Sequence, residues 1–524
     1  MLNKENFLKN FKNDLSASVV VFLVALPLCL GLGLASTGRT DLIFTGIIAG
    51  IVGGIVVGAL SGSSLGVAGP AAGLVVIVLA ALDTLGSYEA FLVAVFLAGI
   101  IQVIAGFLKA GIIGYYFPSS VIKGMLAAIG LTLILKEIPH ALGYDKDYMG
   151  DMALQQTDGH NTFSELYYAF IYNHTGAVII SIVSIVMLIV FERPVMRKFA
   201  LFKFVPGALF VVITGIVLNI AFGSVQPEWA LSGEHLVQLP VASNATEFFS
   251  FFRTPDFSAL TNPDVYVVAI TLAMVASLET LLSVEATDKL DPLKRVTPTN
   301  RELKAQGVGN MISGLIGGLP ITQVIVRSSA NVSAGGKTKM STILHGGILL
   351  LSVILIPAYL NYIPLASLAA ILLLVGYKLS KVTLYKTMYK LGWDQFIPFV
   401  VTVAAILATD LLKGIGIGMA IAIFFILRKN YKHAYFYKKE SLQDREVITL
   451  RLSEEVTFLN KASIQLSLDE LPHNSKVLID GSHSVAIDYD VLEIIEDFKK
   501  HTAPNRNIEL ETVGLREVQL TEAH

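Results

Sequence analysis

The chain carries a single cysteine, Cys29, in 524 residues. That excludes a disulfide framework and any cysteine-based zinc site. Charge is scarce as well, at 15% of residues, and the formal net charge of −2 lacks the basic excess that a nucleic-acid partner would need. The ten histidines show no paired metal spacing, and no Ser-His-Asp or Cys-His arrangement can be drawn, so an enzyme has no residues to carry it. The glycine run Gly414–Gly418 lies inside an apolar stretch instead of following a soluble strand, so it is no nucleotide loop. What the chain does have is apolar surface: 54% hydrophobic residues and a mean hydropathy of +0.65, too much for a soluble protein of this size. The few charges are unevenly spread. Residues 428–524 hold 30 of the 80 charged side chains, which reads as a membrane domain over residues 1–429 and a cytoplasmic domain over 430–524.

A helix needs about 20 apolar residues to cross the hydrocarbon layer, because backbone groups there are satisfied only within a helix or a closed barrel. Leu15–Gly38, Ala90–Leu108, Thr175–Phe191, Phe204–Trp229 and Gly414–Leu427 each read as one span. The uncharged Leu42–Leu82 and the stretch Met340–Tyr377, interrupted only by His345, each hold two. Phe117–Leu135, Val265–Ala286, Ala305–Leu319, Ile321–Asn331 and Gln395–Asp410 bring the expectation to about fourteen. Lys and Arg collect on one side if the N-terminus is inside: Lys4, Lys9 and Lys12, then Arg193, Arg197, Lys198 and Lys203, then Lys289–Lys304, Lys378–Lys390 and Arg428–Lys439. The expected location is therefore the inner (plasma) membrane, multi-pass, with both termini cytoplasmic. The first span is long enough to cross and no cleavable signal peptide is needed.

Glycine and proline interrupt two spans, at Gly62–Gly73 (GSSLGVAGPAAG) and at Gly314–Gly336 (GLIGGLPITQVIVRSSANVSAGG). Either break alone is explained equally well by close helix packing. One break in each half of the chain instead favours a binding site between inverted repeats. A half-helix opening at Pro70 or Pro320 would lose no hydrogen bond to proline and would aim free N–H groups and its positive dipole end at a cavity, which makes an anion site. Two charges sit where charge is costly. Glu279 follows fourteen uncharged residues from Val265, and Arg327 comes one to two turns after Pro320. The functional reading makes Arg327 the fixed positive charge beside an anion and Glu279 a carboxyl that binds a proton or sodium; the alternative is a buried ion pair. Thr280 and Ser283, beside and one turn on from Glu279, could supply oxygens to a sodium ion, whereas Thr322 and Gln323 could donate hydrogen bonds to an oxyanion.

These stretches resemble the sulfate permease (SulP) family of anion transporters, relatives of the vertebrate pendrin and prestin group. VALPLCLGLGLA resembles the family's first helix and GSSLGVAGPAAG its third. The most diagnostic segment begins NRELKAQGVGN; in it Asn300, Glu302, Gln306, Asn310, Pro320, Arg327, Ser328, Asn331 and Gly335–Thr338 fall where the family has them. The resemblance implies a polytopic helical fold of seven plus seven inverted spans with two half-helices, a core moving against a gate, and a homodimer. It further implies substrate contacts at Pro70, Ala71, Thr322, Gln323, Val324 and Arg327, and cation coupling at Glu279. Gln323 and Val326 stand where many relatives have small or hydroxyl residues, which leaves the substrate open.

The tail alternates strand and helix: EVITLRL, EVTFL, KVLID and NIELETVGL as strands, KASIQLSLDEL and DYDVLEIIEDFKKH as helices. It looks like the STAS domain that follows the membrane region in this family. The loop after KVLID carries Ser482, Ser484, Asp488 and Asp490, and a structural or dimer-contact role suits it better than phosphorylation. The expected function is secondary active transport of sulfate or bicarbonate by alternating access, coupled to H+ or Na+, with membrane lipid as its other partner and no cofactor. An anion exchanger, a dicarboxylate symporter, a channel and a signalling protein are the competing readings.

Overall fold

The computed structural model describes residues 4–149, 154, 161–193, 206–432, 435–442 and 445–516. Arg197, Lys198 and Lys203 of the charge-bias argument lie outside the described residues. The chain divides into two compact units, Met1–Met419 and Ala420–His524.

Among the described residues, fourteen helical segments of the membrane domain lie where the sequence places its spans, with shorter helices such as Thr162–Ile171 and Val382–Lys390 between them. The fourteen are α1 (Lys4–Thr37), α2 (Thr40–Leu60), α3 (Val75–Leu85), α4 (Tyr88–Phe107), α5 (Ser119–Leu142), α6 (Thr175–Glu192) and α7 (Gly207–Val225), then α8 (Pro263–Leu290), α9 (Thr299–Ile316), α10 (Ile325–Ser333), α11 (Met340–Leu355), α12 (Leu365–Leu379), α13 (Trp393–Ala408) and α14 (Leu411–Lys432). The ends follow local chemistry. The Ser87 hydroxyl accepts from Ala90 N–H to cap α4, Asn262 caps α8 ahead of Pro263, and Gly86, Gly143 and Gly317 end their helices with positive φ. Eight helices are long and apolar enough to cross a membrane. α5 and α9 differ from the sequence expectation by running further, to Leu142 and back to Thr299, because the polar side chains at those ends are buried against protein. Large apolar side chains stay exposed on α6 and α7, among them Ile182, Val186, Ile213 and Val217, as a lipid-facing surface requires.

The helices form two bundles, α1–α4 with α8–α11 and α5–α7 with α12–α14. Three glycine-to-glycine contacts reveal the repeat. Gly99 of α4 meets Gly307 of α9, where a Cβ on either would stand 2.5 Å from the other's carbonyl oxygen. Gly54 of α2 meets Gly346 of α11, where a Cβ on Gly54 would stand 2.6 Å from the Gly346 Cα. Shifting each number by seven turns the pair α2·α11 into α9·α4, so the two contacts are one contact seen twice. The third, Gly130 of α5 against Gly376 of α12, maps onto itself. Packing of this closeness is what small residues allow between membrane helices.

Two extended segments interrupt the first bundle, β1 (Ala68–Pro70) and β2 (Ile321–Gln323), paired antiparallel with Gly69 opposite Thr322. This corrects the placement of the prolines. Pro70 ends β1 and Pro320 precedes β2, while the helices proper begin later, at Val75 after a tight turn over Ala72–Leu74 and at Ile325. The cause is the strand pairing, which holds both prolines in extended backbone at a two-stranded edge where their missing N–H is tolerated.

The second unit is a four-stranded sheet in the order β3 (Tyr435–Leu442), β4 (Arg445–Leu452), β6 (Lys476–Asp480), β8 (Glu509–Val513), antiparallel between the first two and parallel thereafter. Helices α15 (Lys461–Asp469) and α16 (Tyr489–Asp497) make the crossovers and bury Ile464, Leu468, Val491 and Ile495 against Ile448, Leu450, Val477 and Ile479. The architecture is STAS-like. EVTFL forms only the two-residue strand β5 (Glu455–Val456), paired with β7 (Ala486–Ile487), because a capped turn at Thr457–Asn460 ends it. β3 was not anticipated. In the loop after β6, Ser482 donates to Asp480, Ser484 donates to the Ser453 carbonyl, and Asp488 caps α16.

Replacing Gly307 by leucine is expected to force α4 and α9 apart and destabilise the protein by more than the usual 1–3 kcal/mol of overpacking, since the obstacle is backbone. Thermal unfolding in detergent checks this against Gly347→Leu, where no atom lies within 4 Å of the added carbon and no shift is expected.

Candidate functional site

The β1–β2 pair sets two helix starts side by side. Val324 N–H donates to the Val67 carbonyl (2.9 Å), and Ser328 N–H donates to Val324 O as the first helical bond of α10. The N–H groups of Ile325, Val326 and Arg327 therefore have no partner within the helix. On the other side the turn over Ala72–Leu74 leads into α3. Ala72, Gly73 and Val324 are partly exposed, whereas Pro70, Ala71, Thr322, Ile325 and Val326 are buried, so the opening lies between the two starts.

Side chains from neighbouring helices hold this unwound backbone. Asn310 of α9 bonds both polar groups of Ile321, accepting from its N–H at 2.6 Å and donating to its carbonyl at 3.0 Å. It also donates to Gln102 of α4 at 2.7 Å. Ser328 accepts from Val67 N–H (3.0 Å) and Asn331 donates to the Leu65 carbonyl (2.9 Å). Thr280 of α8 accepts from Gln323 N–H at 3.3 Å. Nearly every exposed end of the break is thereby answered from within the protein, as a low-dielectric setting demands.

Glu279 lies beside the start of α3. Its carboxylate lies against the Gly73 backbone, where a Cβ would come within 3.0 Å of both carboxylate oxygens. Oε2 has no protein partner. Ser283 is buried one turn on, and Thr287 beyond it donates to the Ser283 carbonyl at 2.6 Å. Arg327 is 0% exposed, and none of its three guanidinium nitrogens has a hydrogen-bond partner in the protein. It lies behind β1: a Cβ on Gly69 would overlap Nη1, and Gly50 of α2 leaves the space into which both Nη1 and Cys29 Sγ project. His345 of α11, likewise buried with both ring nitrogens unpartnered, feels the Arg327 charge.

The structure thus joins Pro70, Ala71, Val324 and Glu279 at one opening and places Arg327 directly behind it. Thr322 and Gln323 do not face the helix starts. The Gln323 amide donates to Thr287 Oγ1 (3.2 Å) and packs on Gly66, and the Thr322 hydroxyl turns to the Gln323 carbonyl (3.3 Å), because both residues are strand residues whose side chains the pairing directs to either side. Gln102 and His345 were missed as site residues, though a lone polar side chain within an apolar run marked each of them; Asn310 was read only as a family position. Two positive helix ends, a buried guanidinium and a facing carboxyl can seat an anion with a compensating cation. Among the described residues no group of three or more His, Cys, Asp or Glu could hold a metal ion.

Residues 11–404 match the Sulfate permease family. The chain is 28% identical over 436 residues to YvdB of Bacillus subtilis, covering 83% of this chain and 77% of that protein. It is 26% identical to the bicarbonate transporter BicA of Picosynechococcus (80% and 70% covered) and 24% identical to the sodium-independent sulfate anion transporter of Bos taurus (80% and 71%). Among solved structures, the transmembrane domain of a cyanobacterial BicA is similar at TM-score 0.52 and 22% identity, over 79% of this chain and 97% of that one. The murine Slc26a9 anion transporter in its inward-facing state is similar at TM-score 0.64 and 14% identity, over 96% and 86%.

Asn310→Ala should orphan the N–H and carbonyl of Ile321, at a cost of about 1–3 kcal/mol for each. The expected result is a lowered unfolding midpoint together with weakened anion binding, read by thermal unfolding with and without added anion.

Proposed function

The chain belongs to the Sulfate permease family of membrane anion transporters, and we propose that it is a secondary active transporter in which bicarbonate or sulfate binds between the starts of α3 and α10 and moves by alternating access. The observation that carries the reading is the pairing of β1 with β2, which sets the starts of α3 and α10 at one opening with Glu279 beside the first. An anion there gains the N–H groups of the α10 first turn and the field of Arg327. Glu279 binds the coupling ion, a proton or a sodium ion, so that the loaded site carries less net charge than the anion alone.

Bicarbonate is the leading substrate. The membrane potential opposes anion entry by about 2.3 kcal/mol per charge at 100 mV, and one cation cancels that for a monovalent anion. Sulfate needs two, and Glu279 is the one buried carboxyl at the opening. The bicarbonate transporter BicA and the sulfate anion transporter of Bos taurus, both similar over most of this chain, support the two substrates. A homodimer in the plasma membrane with both termini cytoplasmic belongs to the same proposal.

The test is uptake of labelled bicarbonate and of labelled sulfate into proteoliposomes under imposed proton and sodium gradients, for wild type and Glu279→Gln. Uptake of one anion is expected to follow one gradient, and the variant is expected to lose that dependence while keeping the fold. Uptake indifferent to both gradients, with Glu279→Gln equal to wild type, would replace coupled symport by exchange.

A further inference from the structure

Outside the β1–β2 opening, after the ends of α5 and α7, one buried carboxylate joins two imidazoles. Asp145 follows the turn that ends α5, and its side chain is 2% exposed. His140 Nδ1 lies 2.6 Å from Oδ1, and His235 Nδ1 lies 2.6 Å from Oδ2. His140 comes from the last turn of α5 and His235 from the turn Gly233–His235. That second turn is fastened to the start of α12, since Val237 N–H donates to the Ile363 carbonyl and Leu236 pairs with Pro364.

The stretch that carries Asp145 reaches across to the other bundle. A Cβ on Gly31 of α1 would overlap the Met149 carbonyl oxygen, so the backbone of the stretch rests directly on α1. A cavity of about 200 Å³ beneath it is lined by Leu30 and Leu34 of α1, by Asp145 and Met149, and by Leu236 and Leu365. α1 packs mainly against α10 and α11 and more sparsely against α7 and α12, whereas α5, α7 and α12 belong to the second bundle. Asp145 therefore anchors a strap between the two halves that alternating access must move apart.

The charges around it leave the imidazoles a definite task. Lys136 is paired with Asp147 (3.3 Å) and Glu165 (3.9 Å), Glu137 lies one residue along, and Glu234 and Lys146 flank the partly exposed side. Four buried carboxyls, Glu137, Asp145, Asp147 and Glu165, face a single buried lysine. The ring of His174, at the start of α6, stands 5.2 Å from that of His235. Burial and the charge of His235 hold His174 below its ordinary value.

We propose that His140, Asp145 and His235 form a proton-binding latch: with the imidazoles protonated, Asp145 holds the 145–149 strap against α1 and keeps this mouth of the transporter shut, and loss of the His235 proton releases it. The inference rests on the alternating-access reading above. Burial alone would raise the Asp145 carboxyl, but the bonds from His140 and His235 outweigh it and hold it below the usual carboxylate range. Its bond to Asp145 lifts His235 above the ordinary imidazole value. A raised histidine contributes fully below its ordinary value and fails as pH climbs through the raised one, whereas a lowered carboxylate fails only when acid reaches its own depressed value. The latch thus holds on the acid side of the ordinary imidazole value and opens as pH rises through the raised one.

The test reads access to α1 instead of transport. Leu34→Cys is labelled with a membrane-impermeant maleimide from the face that carries the α5–α6 loop. Its rate is divided at each pH by that of Gln226→Cys, exposed at the end of α7, and wild type with buried Cys29 serves as the blank. The ratio should be low near pH 6 and rise about fivefold or more by about pH 9. It should be high throughout in Leu34→Cys/His235→Gln and in Leu34→Cys/Asp145→Asn. A ratio flat with pH in Leu34→Cys, or low at all pH in a folded Leu34→Cys/His235→Gln protein, overturns the latch. A step that persists in Leu34→Cys/Glu279→Gln supports it whatever that variant does to uptake, and separates a failed coupling assignment from a failed latch.

Discussion

Backbone left unwound inside a membrane has to find its hydrogen bonds within the protein, and the pairing of β1 with β2 is where this chain meets that demand. Two breaks that would each be ruinous alone satisfy one another, Ala68 against Gln323 and Pro70 against Ile321. Asn310, Ser328, Asn331 and Thr280 then complete what three residues of strand cannot. Once the breaks are fixed in this way, the helix starts must lie together, and the proposed anion site is a by-product of the solution. The glycines follow from the same packing: Gly69 is bare because Arg327 occupies the space its side chain would fill, and Gly50 because Cys29 Sγ and Leu349 do.

Much of this was legible in the sequence because membrane helices leave a coarse record. Uncharged runs gave the fourteen segments, and the paired clusters of glycine and proline located the breaks. Glu279 and Arg327 stood out because charge inside a span is costly, and both prove to be buried at or behind the opening. What the sequence hid was short-range geometry. Pro70 and Pro320 fit a helix start and a strand edge equally well, and only the pairing decides between them. Thr322 and Gln323 were assigned to the anion by adjacency, yet adjacent strand residues point to opposite sides. β3 went unread because its lysine-rich segment, YFYKKESL, has no clean apolar alternation. The His140–Asp145–His235 cluster joins residues 90 positions apart, a distance that no local pattern spans.

The two buried charges also divide the work of the fold. Glu279 meets α3 from α8, and Arg327 meets α1 from α10. Under the seven-segment shift these are the same contact, α8·α3 and α1·α10. One copy of the motif carries a carboxyl and the other a guanidinium, so the repeat supplies symmetric geometry while the sequence supplies opposite charge. Such asymmetry is what the proposed pairing of an anion with a coupling cation would require.

The three glycine contacts have a mechanical side. Backbone pressed on backbone at Gly99·Gly307, Gly54·Gly346 and Gly130·Gly376 leaves little slack for a helix to slide within its own bundle. Each bundle is therefore stiff, and compliance is confined to the places where the chain passes from one to the other. There are three: residues 108–118, residues 226–262 and residues 356–364. The first is a tight helical turn over Ala110–Tyr116 entered through Lys109 at φ 61°, the second is a long loop, and the third is a single turn of helix at Pro357–Leu360. If the bundles rock as proposed, the elastic work of the cycle would be stored in those three springs.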